Sequence, residues 1–350
     1  MRLAKLGVAV GMGIFSMALY AQTTVQIYGI VDAGVEYVNG VNSGAAGSPT
    51  GSVMRVQSGN ESSSRIGFRG REDLGGGLAA VFTLENGFSA DTGAAGQSNR
   101  LFGRQAYVGL AGHFGEIELG RQTTVIYDYG VVFDPISAAR FSTGIMDAAY
   151  FSRADNAIKY VGSFGALNVA SQYSFGYDST ITNGSEVPGA PAVGREMGVT
   201  TNYTIGRAQL GAAYDRQNGT SVATEDNNIQ RTVVGANIDF KLVVLSTAYE
   251  RQLVTTGPTS LANKFYWVDL QYTGGAVTLT PAIYIFDPSG SHNKSTMLTV
   301  LGSYALSKRT DLYSQLALMK NQAAAAVGMD GSVNFGENQN ALTVGIRHRF

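Results

Sequence analysis

The sequence predicts an all-β chain closed into a sixteen-stranded antiparallel barrel that crosses a membrane. Three observations carry that expectation. Apolar and polar residues alternate along many short segments, as a strand with one apolar and one polar face requires. The connections between those segments alternate between tight turns and long polar loops. Beyond the first residues, no stretch is apolar over the roughly 18 residues that suggest a spanning helix, so a crossing falls to strands, whose backbone hydrogen bonds only a closed sheet satisfies.

Taken in chain order, residues 1–21 read as a secretory signal. Arg2 and Lys5 precede an apolar run from Leu6 to Leu19, and Tyr20-Ala21 supplies a small residue for cleavage, in the basic, apolar, small order of such segments. The run has 14 residues, fewer than the roughly 20 a spanning helix needs. Removal leaves 22–350 as one domain and takes the formal charge from -1 to -3.

Alternation begins at once in the mature part. Val25, Ile27, Val31, Val35 and Tyr37 oppose Gln26, Asp32 and Glu36. The stretch 167–177 repeats it, with Leu167, Val169, Tyr173 and Phe175 against Asn168, Ala170, Gln172 and Ser174. The same reading holds at 208–214, 243–249 and 342–350. Tight connections fall at 74–77, 113–114, 163–165, 206–207, 240–241, 273–275 and 307–309. Long ones fall around 39–61, 87–99, 123–152, 178–197, 218–229, 254–262, 287–293 and 321–338. Seven turns and eight loops join sixteen strands. Turns sorted to one side, loops to the other and an even strand number describe an outer-membrane barrel. Aromatics near the strand ends, among them Tyr37, Tyr203, Phe240, Trp267, Tyr272, Phe286 and Tyr304, predict two interfacial girdles.

Composition excludes other classes. Charged residues make up 15% and balance to -1, which removes the basic footprint of nucleic-acid binding. With no Cys there is no disulfide framework, thiolate metal site or Cys nucleophile. The three histidines, His113, His292 and His348, are scattered over a turn, a loop and the last strand without metal spacing. No nucleophile elbow, HExxH or P-loop motif occurs. The expectation is no catalytic residue, no metal and no cofactor.

A barrel of this size leaves an aqueous channel, and what narrows and lines it sets its selectivity. The loop at 123–152 is the natural constriction. Val131, Val132, Phe133 and Ile136 are apolar enough to pack it down, and Asp134-Pro135 supplies a turn. Ala106 and Val108 are small enough to leave room for it beside Arg104. Arg65, Gly67 and Arg69 share one face, opposite Ile66 and Phe68. A charge facing lipid at mid-membrane costs about 2–4 kcal/mol, which sends those arginines inward.

The segments S-R-I-G-F-R-G-R-E-D-L-G-G-G (64–77), L-F-G-R-Q-A-Y-V-G-L (101–110), F-G-E-I-E-L-G-R-Q (114–122), R-A-D-N-A-I-K-Y (153–160) and the ending V-G-I-R-H-R-F together resemble the general trimeric porins of Gram-negative bacteria, especially the neisserial and burkholderial type. The resemblance spans the whole mature chain. It implies an outer-membrane general-diffusion channel for small hydrophilic solutes and ions, with the third loop folded inward against the wall. It also implies a homotrimer, contact with outer-membrane lipid and lipopolysaccharide, and recognition of the last-strand aromatic Phe350 by the barrel-assembly machinery. Arg65, Arg104 and Arg153 stand where the family places its basic wall cluster, with Arg69 beside them. Asp134 and Glu85 are the expected opposing acids, and Asp128 and Arg121 weaker candidates for the lining. An arginine majority predicts weak anion preference. A substrate-specific outer-membrane channel is the alternative, and a barrel hydrolase a more distant one.

Overall fold

The computed structural model describes residues 24–44, 47–178 and 186–350; the signal segment expected at 1–21 lies outside the described residues. Seventeen strand segments form a single antiparallel sheet. They are β1 (Thr24–Asn42), β2 (Thr50–Ser58), β3 (Arg65–Gly75), β4 (Leu78–Gly87), β5 (Gln105–Gly112), β6 (Gly115–Thr123), β7 (Arg153–Phe164), β8 (Leu167–Ser174) and β9 (Glu196–Ile205). They continue as β10 (Ala208–Asn218), β11 (Asn228–Asp239), β12 (Val243–Thr256), β13 (Thr259–Gly274), β14 (Val277–Pro288), β15 (Ser295–Ala305), β16 (Thr310–Asn321) and β17 (Gln339–Arg349). Both β2 and β3 pair with β1, one beyond the other. They are therefore two halves of one stave, and the barrel has sixteen.

Closure joins β1 to β17, from Ile30 opposite Arg349 to Val38 opposite Ala341. Phe350 extends the seam: its N–H donates to the Gly29 carbonyl and its carbonyl accepts the Gly29 N–H, each at 3.1 Å. Its ring crosses the spot where a Cβ on Gly29 would stand, 2.3 Å from the ring.

Burial is inverted relative to a soluble protein. On β1, Val25, Ile27, Val31 and Val35 are exposed while Asp32 and Glu36 are fully buried. On β16, Leu312, Leu316 and Leu318 face out and Gln315 faces in, buried. An outer surface of this kind is stable only against lipid, where each Å² of apolar area removed from water contributes about 25 cal/mol. Toward the tight turns the outer face carries Phe164, Tyr203, Phe240, Tyr272 and Tyr304, all exposed. Toward the loops it carries Tyr37 and the Tyr249–Tyr266 pair, ring centroids 5.1 Å apart. One outward position further on stand Arg251 and Lys264, cross-strand partners, and Lys320. Two girdles thus bound the apolar band. Trp267 and Phe286 do not belong to them. Strand parity turns Trp267 inward, fully buried, and Phe286 packs against the interior cluster.

The seven tight turns fall where the sequence places them. Gly75, Gly76 and Gly77 all have positive φ (84°, 61° and 80°), which explains the glycine triplet: three successive left-handed residues would strain any side chain. Two long connections differ from expectation. The stretch 39–61 contains the end of β1 and all of β2, and 254–262 is a hairpin around Gly257-Pro258. The ends of β12 and β13 run beyond the apolar band, where neither face needs to be hydrophobic, and β2 offers only a short alternation, Met54 and Val56 outward against Arg55 and Gln57.

Candidate functional site

The connection between β6 and β7 lies inside the barrel. It opens with the helix Val125–Phe133, capped by Thr124, whose side chain accepts the Tyr127 N–H at 3.2 Å. Val125, Ile126, Tyr129 and Phe133 form its buried face. Room for that face comes from glycines on the opposite wall. A Cβ on Gly211 of β10 would lie 2.2 Å from the Phe133 ring, one on Gly235 of β11 would lie 2.5 Å from the Tyr129 hydroxyl, and one on Gly198 of β9 would lie 2.5 Å from Val125. Ala106 and Val108 do not provide the space: Val108 is exposed on the outer face. The rest of the loop is bound by aromatic and polar contacts. Trp267 Nε1 donates to the Phe133 carbonyl at 2.8 Å and Gln315 Nε2 to the Phe141 carbonyl at 2.9 Å.

Two carboxylates pin this loop. Asp134 is fully buried and accepts the N–H groups of Ile136 (3.0 Å) and Thr143 (3.2 Å) and the Tyr284 hydroxyl (3.1 Å). Burial pushes its carboxyl up to about 6, those hydrogen bonds opposing only in part. Asp147 takes two bonds from Arg231 of β11, at 2.6 and 3.1 Å. Burial works against its ionisation, but the Arg231 charge prevails and holds it below the usual carboxylate range. Arg231 also meets Asp215 at 3.1 Å, and Tyr150 donates to Glu250 at 2.6 Å. Sequence reading missed Arg231 and Glu250 as anchors, although their parity on β11 and β12 points both inward.

The loop lies along the wall of β9–β16 and meets the wall of β3–β7 near its start, where Asp128 pairs with Lys159 and Tyr127 lies under Arg153, leaving a cavity beside the arginines. Arg104 is buried and its Nε lies 2.6 Å from Glu85 Oε1; Arg65 Nε lies 3.7 Å from Glu85 Oε2. Tyr28 donates to the same Glu85 oxygen at 3.0 Å. Arg153 bonds the Arg104 carbonyl (3.1 Å) and the Phe151 carbonyl (2.9 Å), and stacks 5.3 Å above the Tyr127 ring. Among the described residues it has no carboxylate within ion-pair distance. Arg69 lies two inward positions nearer the tight turn than Arg65, bonded to Gln26 at 2.9 Å and stacked on Tyr28. Both Arg104 and Gln105 reach the interior because Arg104 sits in a bend just before β5.

The structure brings Arg65, Arg104 and Arg153 together around one open cavity of about 380 Å³. Its far side is formed by 137–140 of the inserted loop, with Ile145 and Phe151. Arg140 joins the lining from that side; it is held by Glu36 (2.6 Å) and Asp330 (2.8 Å). Met329 adds a second inward-turned loop between β16 and β17. Nothing in the sequence marks Arg140 or Met329, since neither lies in a periodic segment. The expected acids fall elsewhere. Glu85 stands behind the arginines on their own wall, not across from them. Asp134 is consumed in seating the loop. Asp128 pairs with Lys159 of β7 and accepts the Thr123 hydroxyl at 2.8 Å. Arg121 bonds Asp155 at 2.6 Å and the Gly103 carbonyl at 2.7 Å, away from this cavity.

A closed sheet, greasy outside and charged within, with one wall left open beside an inserted loop, defines a pore-forming outer-membrane barrel. A model of the Gram-negative porin family matches residues 7–324, and the chain belongs to that family. It is 33% identical to outer membrane porin protein 32 of Delftia acidovorans over 96% of each chain. It is 26% identical to major outer membrane protein P.IB of Neisseria meningitidis serogroup B, over 97% of this chain and 98% of the relative. Among solved structures, an anion-selective porin from Comamonas acidovorans superposes with a TM-score of 0.81 at 28% identity, covering 94% of this chain and all of that one. The protein is a diffusion channel of the outer membrane.

Proposed function

We propose that the cavity between the arginine wall and residues 137–140 is the narrow part of the conducting path, that it passes small hydrophilic solutes and ions, and that it favours anions weakly. One observation carries this reading: among the described residues lining the cavity there are four arginines and no carboxylate. The attraction of an anion about 4 Å from a guanidinium is about 1 kcal/mol in bulk water and rises to about 4 kcal/mol at an effective dielectric of 20. Glu85 offsets much of Arg65 and Arg104, so the surplus sits at Arg153. That is enough to bias ions and too little to trap them, because water remains in the passage. The anion-selective relative of the same fold supports the sign. Purified protein in planar bilayers under a KCl gradient should give a reversal potential of the sign set by chloride; the sign set by potassium refutes the reading.

The same proposal extends to the assembly. Outward residues of β17, β1 and β2 (Leu342, Val344, Val35, Met54 and Val56) are apolar and exposed, whereas β12, β13 and β16 add outward cations near the loops. The first face suits a homotrimer contact and the second suits lipid and lipopolysaccharide. Phe350, already seated at the seam, is the residue we assign to the assembly machinery. A complex in mild detergent with the mass of a single chain would remove the trimer.

A further inference from the structure

Between β2 and β3 the chain leaves the wall. Ser58 lies opposite Ala33 and Arg65 opposite Ile30, so residues 59–64 occupy a gap that only Val31 and Asp32 span on β1. Six residues stand where a continuous strand needs two. Such an insertion gives up ladder pairing and re-aims the chain. Here it turns inward: Asn60, Glu61, Ser62 and Ser64 are buried, and Ser58, Gly59, Ser63 and Ser64 line the same cavity as the arginines.

The excursion hangs on Asp32. Its Oδ2 accepts the N–H groups of Glu61 (2.9 Å) and Ser62 (2.6 Å), and its Oδ1 accepts the Tyr313 hydroxyl at 2.5 Å. The Asp32 carbonyl accepts the Gly59 N–H at 3.0 Å and the Ser64 hydroxyl at 3.0 Å. A buried carboxylate that meets three donors shapes a loop as few other groups can, and an alanine in its place would leave the Glu61 and Ser62 N–H groups without their acceptor. At its crest the excursion touches the inserted loop, the Arg140 N–H donating to the Asn60 carbonyl at 2.8 Å. At its end the Ser63 carbonyl accepts from Arg65 at 3.4 Å.

We propose that residues 59–64 form a second constriction element, clasped to the inserted loop, and that Asp32 is the positioning residue that sets its reach into the passage and the aim of Arg65. The width of the channel is then fixed by two protrusions that meet, not by one loop against a plain wall. This rests on the cavity being the conducting path. Two substitutions test it in planar bilayers. Ser63 is exposed to the passage, so Ser63→Trp adds bulk at its edge and should cut unit conductance by about half or more, with gluconate excluded more than chloride. Asp32→Ala removes the acceptors of the crest and should raise unit conductance, raise the gluconate-to-chloride permeability ratio and add open-channel noise. Unchanged conductance and ratio in either variant overturn the inference. Neutralising Arg153 in the same membranes separates the two levels: if it moves the reversal potential while Ser63→Trp changes nothing, the excursion is not a constriction and the channel reading stands. If neither responds, both fall.

Discussion

The two inner walls of this barrel are built from opposite materials. From β9 to β16 the interior is glycine, aromatic and buried charge, and the inserted loop lies flat on it. From β3 to β7 it presents Arg65, Arg104 and Arg153, and a cavity separates them from residues 137–140 of the loop. The first wall spends its chemistry on holding a loop; Trp267, Tyr284, Arg231 and Glu250 all bind loop atoms. The second keeps Arg153 without a carboxylate and turns it to the water. The contrast shows how a pore can be rigid and charged at once. Buried ion pairs seat the constriction on one side, so that the arginines across from it keep a fixed distance.

The comparison breaks most visibly on the arginine wall. Replacing Arg65, Arg104 and Arg153 together with neutral residues removes three of the four lining charges and should carry the reversal potential toward potassium, which a KCl-gradient bilayer recording reads directly. On the covered wall, Arg231→Met leaves Asp147 and Asp215 buried without their cation. Breaking such a pair costs about 3–5 kcal/mol, so the heat-unfolding midpoint should fall and the open channel should become noisy, with ion preference kept. A smaller effect follows from Gly211→Val, whose side chain would overlap the Phe133 ring. Overpacking of this kind costs about 1–3 kcal/mol and should expose the loop to limited proteolysis.

The finest test concerns pH. A carboxyl raised above its ordinary 3.8 to about 6 takes up a proton on seating, so the Asp134 contribution is complete below about 3.8 and is lost as pH rises through about 6. Asp147, held below the usual range, acts with the opposite sign: its contribution is present at neutral pH and lost only in stronger acid. Channel noise should therefore fall modestly on mild acidification from neutral pH, and Asp134→Asn should abolish that trend. An unchanged trend in the variant would place the titrating group elsewhere.

Much of the fold was legible because a membrane barrel repeats one local rule. Each outward position must be apolar, so Val25, Ile27, Leu312 and Leu316 announce their strands without reference to any distant residue. The glycine triplet at 75–77 announces its turn because left-handed backbone admits few side chains. The rule fails above the bilayer, which is why the hairpin at Gly257 reads as a loop, and β2 keeps it over too few residues, Met54 and Val56, to announce a strand. It misleads for Trp267 too, whose place near a strand end suggested a girdle although its parity points inward.

By itself, then, the sequence determined the sheet, its sorting of turns from loops, and that Arg65 and Arg69 turn inward, since these follow from two-residue periodicity and the cost of charge in lipid. Tertiary structure decided which charges meet. Glu85 falls behind Arg104, Asp134 is used to seat the loop, Arg140 completes the lining and Asp32 gathers 59–64, each across gaps in the chain that no periodicity records. Pairing in a closed interior depends on distance through space, and distance is set only when every stave has taken its place.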